Sequence, residues 1–336
     1  MKICSVIVSY DNRYNLLSQV INSLLKEQID KIIIVDNGSV DESRTKIEVL
    51  RAKYESKIIV HRLEHNEGSA MGFKKGLELA LGTECEYIWI LDDDNNPVEG
   101  ALGSLKNFWI SHIDGQKSEV TALCSLRSGR PNFLDAIKKN DASLILQTKN
   151  NFAGFHIRNL FLKLKERVLP SKQHTIEESA PALKLNATAY GGLFFHKKLL
   201  QHIRMPDVNY VLYSDDFAFT YQIPLNGGEI WLVSSSKVED LEASHYLPLR
   251  KKFLYHSVFD AKTDATVYYS FRNSIYFSKR YLLDNKTIRF INKILFMLMI
   301  SLMGVLRGKL SRLKVLQEAV RDAEAGRIVI NPKYRL

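Results

Sequence analysis

The sequence predicts an α/β protein with a mostly parallel central sheet, flanking helices and a helical C-terminal region. Three observations carry that expectation. Over the first hundred residues, short β-branched apolar runs alternate with segments of helical apolar spacing, at the interval of βα units. Each run stops at a polar cluster. From about residue 255 the chain changes to long helical sequence, aromatic-rich at first, then apolar and basic.

Taken in order, Ile3–Val8 has the profile of a strand buried on both faces, and Tyr10-Asp11-Asn12-Arg13 is a polar turn. Leu16, Val20, Ile21, Leu24 and Leu25 form one helical stripe. Ile32–Val35 is the second strand and ends at Asp36-Asn37-Gly38-Ser39. Ser43–Tyr54 reads as helix and Lys57–Arg62 as the third strand. A glycine-punctuated loop, His65–Gly68, enters a helix over Ala70–Leu81, and Glu86–Leu91 is a fourth strand stopping at Asp92-Asp93-Asp94-Asn95. Val120–Leu126, Ala187–Phe195 and Ile230–Ser234 read as further strands, whereas residues 133–168 show no clear order.

The chain has 336 residues, 46% hydrophobic and 25% charged, which excludes a disordered chain and suits one large domain with an appendage or two domains. Cys4, Cys85 and Cys124 form no disulfide framework, so a reducing, cytosolic compartment is expected. No secretory signal is expected, because Met1-Lys2 leads directly into a strand. The apolar run Ile294–Val305 is bounded by Lys293 and Arg307 and is shorter than the ~18 residues of a span, so the chain is expected not to cross a membrane. A formal charge of +10 permits a nucleic-acid binder. No helix-turn-helix, zinc-knuckle or RNA-recognition signature accompanies it, and nucleic acid is not an expected partner.

Ligands of parallel α/β sheets bind beyond the carboxyl ends of the strands. Here those ends bring four polar clusters to one edge: 10–12, 36–39, 65–68 and 92–95. Asp92, Asp93 and Asp94 repel one another unless a cation compensates, and Mg²⁺ or Mn²⁺ takes carboxylate oxygens while keeping sites for phosphates. In extended chain Asp92 and Asp94 share a face and Asp93 points away. Asp36 can accept hydrogen bonds from a ribose or a base N–H. A nicotinamide or flavin dinucleotide is not expected, because Ser9–Tyr14 lacks the required glycines. Asp215-Asp216 is a second acidic pair, far along the chain from the first.

Val6-Ile7-Val8-Ser9-Tyr10, Ile34-Val35-Asp36-Asn37-Gly38-Ser39, Asn66-x-Gly68 and Leu91-Asp92-Asp93-Asp94, in this order and spacing, resemble the family-2 inverting glycosyltransferases with the GT-A nucleotide-diphospho-sugar transferase fold. The resemblance covers residues 3–97 and, more loosely, 187–246. Within the family it is strongest to galactofuranosyltransferases, with relatives that use dTDP-rhamnose sharing much of the pattern.

The resemblance implies a catalytic domain over 1–236, with a nucleotide-sugar half (1–100) and an acceptor half (101–236), and a helical region over 237–336. It further implies that Tyr10, Asp11 and Asp36 hold the nucleoside, with Asn66, Gly68 and Asp93 in the donor site. Asp92 and Asp94 would flank the Mn²⁺ or Mg²⁺ and the diphosphate, with His245 as a further ligand or, alternatively, a structural histidine. The family's Trp-Asp-Asp-x-Glu base motif meets Ser214-Asp215-Asp216-Phe217-Ala218, matching at the two acids only.

Inverting transfer needs a carboxylate to take the acceptor hydroxyl's proton. Asp216 is assigned that task and Asp215 the orientation of the acceptor. Gly191-Gly192 either lets backbone approach the sugar, with Gly192 in the donor site, or marks a bulge. Tyr268-Tyr269-x-x-Arg272-Asn273 matches a pattern of the same relatives, with either diphosphate binding or helix packing as its role. The expected partners are a UDP- or dTDP-sugar, a glycan acceptor of lipid-linked type, and an anionic membrane surface met by the apolar-basic C-terminal helix. A homo-oligomer packed through that helix is the alternative. The expected location is cytoplasmic, at the inner face of the cell membrane.

Overall fold

The structure, a computed structural model, describes residues 1–113, 115, 117–159, 161, 181–242 and 256–335. It divides into two compact units. Among the described residues, one comprises those of 1–146, 178–211 and 215–247, and the other those of 147–177, 212–214 and 248–336.

The first unit is a nine-stranded sheet. The expected alternation is present as β1 (Ile3–Asp11), α1 (Tyr14–Lys26), β2 (Lys31–Ser39), α2 (Asp41–Lys53), β3 (Ile58–Leu63), α3 (Ser69–Leu81) and β4 (Tyr87–Asp92). After these come β5 (Asn95–Pro97), α4 (Ala101–His112), β6 (Thr121–Arg127), α5 (Pro131–Lys139), β7 (Ala182–Leu185), β8 (Leu193–His196), α6 (Leu199–His202), α7 (Asp215–Thr220), α8 (Gln222–Leu225) and β9 (Glu229–Asp240). The order across the sheet is β3-β2-β1-β4-β8-β6-β9-β5, with β7 on β9. β1 to β4 pair in parallel, whereas β8 runs antiparallel to both β4 and β6.

The β-branched runs are buried on both faces, as their composition requires. Cys4, Val6 and Val8 of β1 enter one core with Phe73 and Leu77 of α3. Ile3 and Ile7 enter the other with Leu17, Val20, Ile21 and Leu24 of α1 and Leu105 and Trp109 of α4.

Two expected strands differ in extent. The strand through Gly191 and Gly192 begins only at Leu193, because Gly192 adopts a φ of +95°, outside the β region. The strand at 230–234 extends to Asp240, and its register against β6 shifts between Ser125 and Leu126.

The second unit is helical: α9 (His256–Asp260), α10 (Asp264–Tyr281), α11 (Lys286–Leu306) and α12 (Leu310–Glu324). Thr263 caps α10 by accepting from the Thr266 N–H at 3.1 Å, and Asn285 caps α11 by accepting from Ile288 at 3.0 Å. The Tyr-Tyr-x-x-Arg-Asn residues are all buried inside this unit. Arg272 lies 5.5 and 4.7 Å from the ring centres of Tyr268 and Tyr269, and donates to Val329 O at 2.6 Å. The pattern packs the helix and fixes the segment that follows α12.

The expectation that the apolar segment is too short to span is corrected. α11 has 21 residues and is long and apolar enough to cross a membrane by length and composition. The shorter estimate stopped at Lys293, but Arg289 and Asn292 lie on the buried face, with Phe296, Ile300 and Gly304. Phe290, Ile294, Leu298, Leu302, Val305 and Leu306 are exposed on the rest.

Candidate active site

The carboxyl ends of β1 and β4 meet at Asp93. Ser9 donates to its Oδ2 at 2.8 Å, and Arg13 grips it through Nε at 2.9 and 3.0 Å and Nη2 at 2.8 Å. Arg13 also pairs with Glu242 at 2.5 Å. Asp93 is thus turned inward and anchors the turn, leaving Asp92 and Asp94 on its other side. Burial pushes the Asp94 carboxyl up to about 6, helped by the charge of Asp92. Asp92 is likewise raised by burial, with the Arg127 guanidinium opposing.

At the β2 end, Asp36 is fully buried. Its Oδ1 accepts from the Ser39 N–H at 2.9 Å, while Oδ2 has no hydrogen-bond donor among the described residues and faces Arg62 Nε at 3.4 Å and Arg44 Nε at 3.6 Å. Asn37 bridges to the next loop: it donates to Asn66 Oδ1 at 3.2 Å and Gly68 O at 3.1 Å, and accepts from Glu67 at 2.9 Å. Asn66 Oδ1 also accepts from the Gly68 N–H at 3.0 Å. Asn66 therefore shapes the loop. Tyr10 is exposed, under the Arg13 guanidinium at 5.1 Å, and Asp11 is exposed with a φ of +50°.

Gly68 is required twice over. Its φ is +88°, and a Cβ there would sit 2.1 Å from Val211 O. That close approach joins the 65–70 loop to the segment before the second acidic pair: Ala70 N–H donates to Val211 O at 3.2 Å, and Ser69 Oγ donates to Asp215 Oδ2 at 2.9 Å. Asp215 is buried, whereas Asp216 is partly open and accepts the N–H of Phe217 at 2.8 Å. Burial raises both carboxyls, Asp215 to about 8 with the Asp216 charge adding to it, and Asp216 to about 7. The charge of Asp92 raises both as well, so triad and pair share one neighbourhood. Tyr190 is buried beside them, its phenol raised by burial and by the charges of Asp215 and Asp216.

Arg127, at the end of β6, is 3% exposed. It binds Asp240 through Nε at 3.0 Å and through Nη2, and its Nη1 stands 3.5 Å from Asp92 Oδ2. Arg130 Nε holds the other Asp240 oxygen at 2.6 Å. The backbone at Gly191 approaches this group so closely that a Cβ would lie 1.9 Å from Asn95 Oδ1 and 3.0 Å from Asp92 Oδ2. Gly191 is thus the glycine against the acids, and Gly192 packs on Ser125. His245 lies outside the described residues.

Arg13, Ser69, Arg127, Tyr190 and Asp240 were not among the residues singled out from sequence. Arg127 carried a usable signal, a charge closing a largely apolar strand. Ser69 carried none, since its partner is 146 positions away.

Among the described residues no group of three His, Cys, Asp or Glu side chains is arranged to hold a metal ion. Asp92 and Asp94 still fit a divalent cation. Among the described residues around them, five carboxylates (Asp92, Asp93, Asp94, Asp240, Glu242) are linked to three guanidiniums (Arg13, Arg127, Arg130), an excess of acid over base. Mg²⁺ and Mn²⁺ sites commonly use one or two carboxylates and complete the shell with substrate phosphates and water.

Residues 5–115 match glycosyl transferase family 2. Among solved structures, the chain is similar to GalNAc-T7 with UDP, GalNAc and Mn²⁺, at 14% identity and a TM-score of 0.52 over 73% of this chain and 44% of that one. It is similar to S. aureus TarS 1–349 at 16% identity and a TM-score of 0.51 over 98% and 88% of the two chains. It is also similar to the mannosyltransferase PcManGT from Pyrobaculum calidifontis in complex with GDP-Man and Mn²⁺, at 13% identity and a TM-score of 0.50 over 96% and 75%. The chain thus spans 44% of the length of the GalNAc-T7 chain. No curated protein matches the sequence significantly. At these identities the structural likeness establishes the GT-A fold. The family 2 match covers about the first third of the chain, the part that carries Asp36 and Asp92–Asp94.

Proposed function

We propose that the protein is an inverting, metal-dependent glycosyltransferase that moves a sugar from a nucleotide-sugar donor to a saccharide acceptor in cell-surface polysaccharide synthesis. The observation that carries this reading is the convergence at one sheet edge of an under-compensated acid pair, Asp92 and Asp94, with a partly open carboxylate of raised pKa, Asp216. The buried, under-hydrogen-bonded Asp36 suits a ribose hydroxyl or base N–H at the nucleoside end.

A Mn²⁺ or Mg²⁺ held by Asp92 and Asp94, when bound, supplies positive charge to the departing diphosphate. Asp216 accepts the proton of the acceptor hydroxyl as that oxygen attacks the anomeric carbon opposite the leaving group, which inverts the configuration. Asp215, fixed by Ser69, orients the acceptor.

UDP-galactofuranose is the donor favoured by the motif pattern, and dTDP-rhamnose is the second reading, since relatives that use it share much of that pattern. Release of UDP or dTDP from a panel of UDP-galactofuranose, UDP-galactose, UDP-glucose, UDP-GlcNAc and dTDP-rhamnose, with Mn²⁺ or Mg²⁺, decides among them. No turnover with any nucleotide-sugar would overturn the reading.

The exposed apolar face of α11, with basic Lys286, Arg307 and Lys309 at its ends, supports docking on an anionic inner-leaflet surface near a lipid-linked acceptor. Flotation with phosphatidylglycerol vesicles tests this: Leu298→Asp plus Leu302→Asp should release the protein, while unchanged flotation would reject the docking face.

A further inference from the structure

We propose that Arg127 is a donor-binding residue, a guanidinium fixed inside the fold that takes the diphosphate beside the Asp92–Asp94 cation site. The assignment rests on the glycosyltransferase reading above. Two of the three nitrogens of its fork are spent on Asp240. Asp240 in turn is held by Arg130 at 2.6 Å and Asn95 at 3.1 Å, so the fork cannot swing. Nη1 is left over. Its nearest acid, Asp92 Oδ2, is at 3.5 Å, longer than an ordinary charge-assisted hydrogen bond, and no hydrogen bond from Nη1 is made among the described residues. Glycine backbone stands close to it, since a Cβ on Gly191 would lie 2.9 Å from Nη1.

A guanidinium only 3% exposed, with one nitrogen making no hydrogen bond among the described residues, is best completed by a counter-charge. Asp92 serves in part until it takes a divalent ion, after which its charge is shared. A diphosphate oxygen is then the anion of matching chemistry, and guanidinium planes suit phosphate. The position also agrees with the topology, because Arg127 ends a strand at the ligand-binding edge of the sheet.

Calorimetry on the full chain with Mn²⁺ alone, and with UDP at saturating Mn²⁺, tests the assignment. Arg127→Met should bind Mn²⁺ at least as tightly as the wild type, because a neighbouring positive charge is gone. Its UDP affinity should fall about tenfold or more, the usual worth of a charged hydrogen bond. Opposite shifts are the signature, since a purely structural residue would weaken both together. Arg127→Lys keeps the charge, but one ammonium cannot serve Asp240 and the donor at once, so UDP binding weakens while Mn²⁺ binding holds. Where Arg127→Met does not fold, the lysine variant decides. Wild-type UDP affinity in every folded variant, or parallel loss of both ligands, overturns the role of Arg127 alone. A wild-type protein that binds no nucleoside diphosphate overturns the donor reading and this assignment with it.

Discussion

Ser69 donates its hydroxyl to Asp215 Oδ2 at 2.9 Å, and that bond separates the tasks of two adjacent acids. Asp215 is buried and has a fixed partner, whereas Asp216 keeps a partly open carboxylate. Ser69→Ala removes the partner without touching Asp216. The acceptor KM should rise several-fold, about what one hydrogen bond is worth, while UDP affinity stays at the wild-type value. Ser69→Thr, which keeps the hydroxyl, should restore acceptor binding. A fall in UDP affinity with an unchanged acceptor KM would show that the bond serves the donor side.

The raised carboxyls of the pair make a statement about stability. In the folded, metal-free protein Asp215 titrates near 8 and Asp216 near 7, against ~4 for an unfolded chain. Between pH ~4 and ~8 the folded state therefore holds more protons than the unfolded state, and the contribution of these groups to stability is lost as pH rises. Asp215→Asn removes the share of that dependence that Asp215 contributes. Its thermal midpoint should exceed the wild type's by about 2 °C or more at pH 8, with the gap closing towards pH 5. A gap that is constant or reversed across this range would refute the burial argument.

The strands and helices of the first hundred residues were legible because β-branched runs and 3.6-residue stripes each bury a face, and local sequence reports that directly. Asp36, Asp92, Asp94, Asp215 and Asp216 were found for a related reason: acids closing apolar strands or standing in pairs are conspicuous. The ion-pair frame was not legible. Arg13, Arg127 and Asp240 come from three elements, and only the antiparallel insertion of β8 between β4 and β6 brings β6 and β9 to the triad. Gly191 and Gly192 looked alike in sequence. Only the +95° φ of Gly192, and the 1.9 Å at which a Cβ on Gly191 would meet Asn95 Oδ1, tell the turn-former from the residue that clears the site. The long α11 was underestimated because a linear apolar count breaks at Lys293, whereas a helix places Arg289 and Asn292 on one buried stripe.

The charge excess around Asp92 and Asp94 predicts metal binding that depends on both. Asp94→Asn lowers the negative charge by one by removing a carboxyl that burial, helped by the charge of Asp92, lifts to about 6. Mn²⁺ affinity should drop at least tenfold in Asp92→Asn and in Asp94→Asn, while Asp93→Asn should lower the thermal midpoint, because Asp93 is the anchor of Arg13. Manganese titration followed by electron paramagnetic resonance reads this directly. Equal Mn²⁺ binding in all three variants would place the cation elsewhere.

Asp216→Asn isolates the proton-transfer step. The amide keeps the size of the carboxylate and can still accept the Phe217 N–H, so the start of α7 should persist. It cannot take a proton from the acceptor hydroxyl. General-base catalysis is worth about 10²–10⁴-fold, so kcat should fall by that order with UDP affinity unchanged. The wild-type rate should rise through pH ~7 as Asp216 deprotonates, with a bound divalent ion drawing that midpoint lower by stabilising the carboxylate. The residual rate of Asp216→Asn should lose this limb. A variant with near-normal kcat and the same acid limb would move the base to Asp215, and the Ser69 bond would then be the device that tunes it.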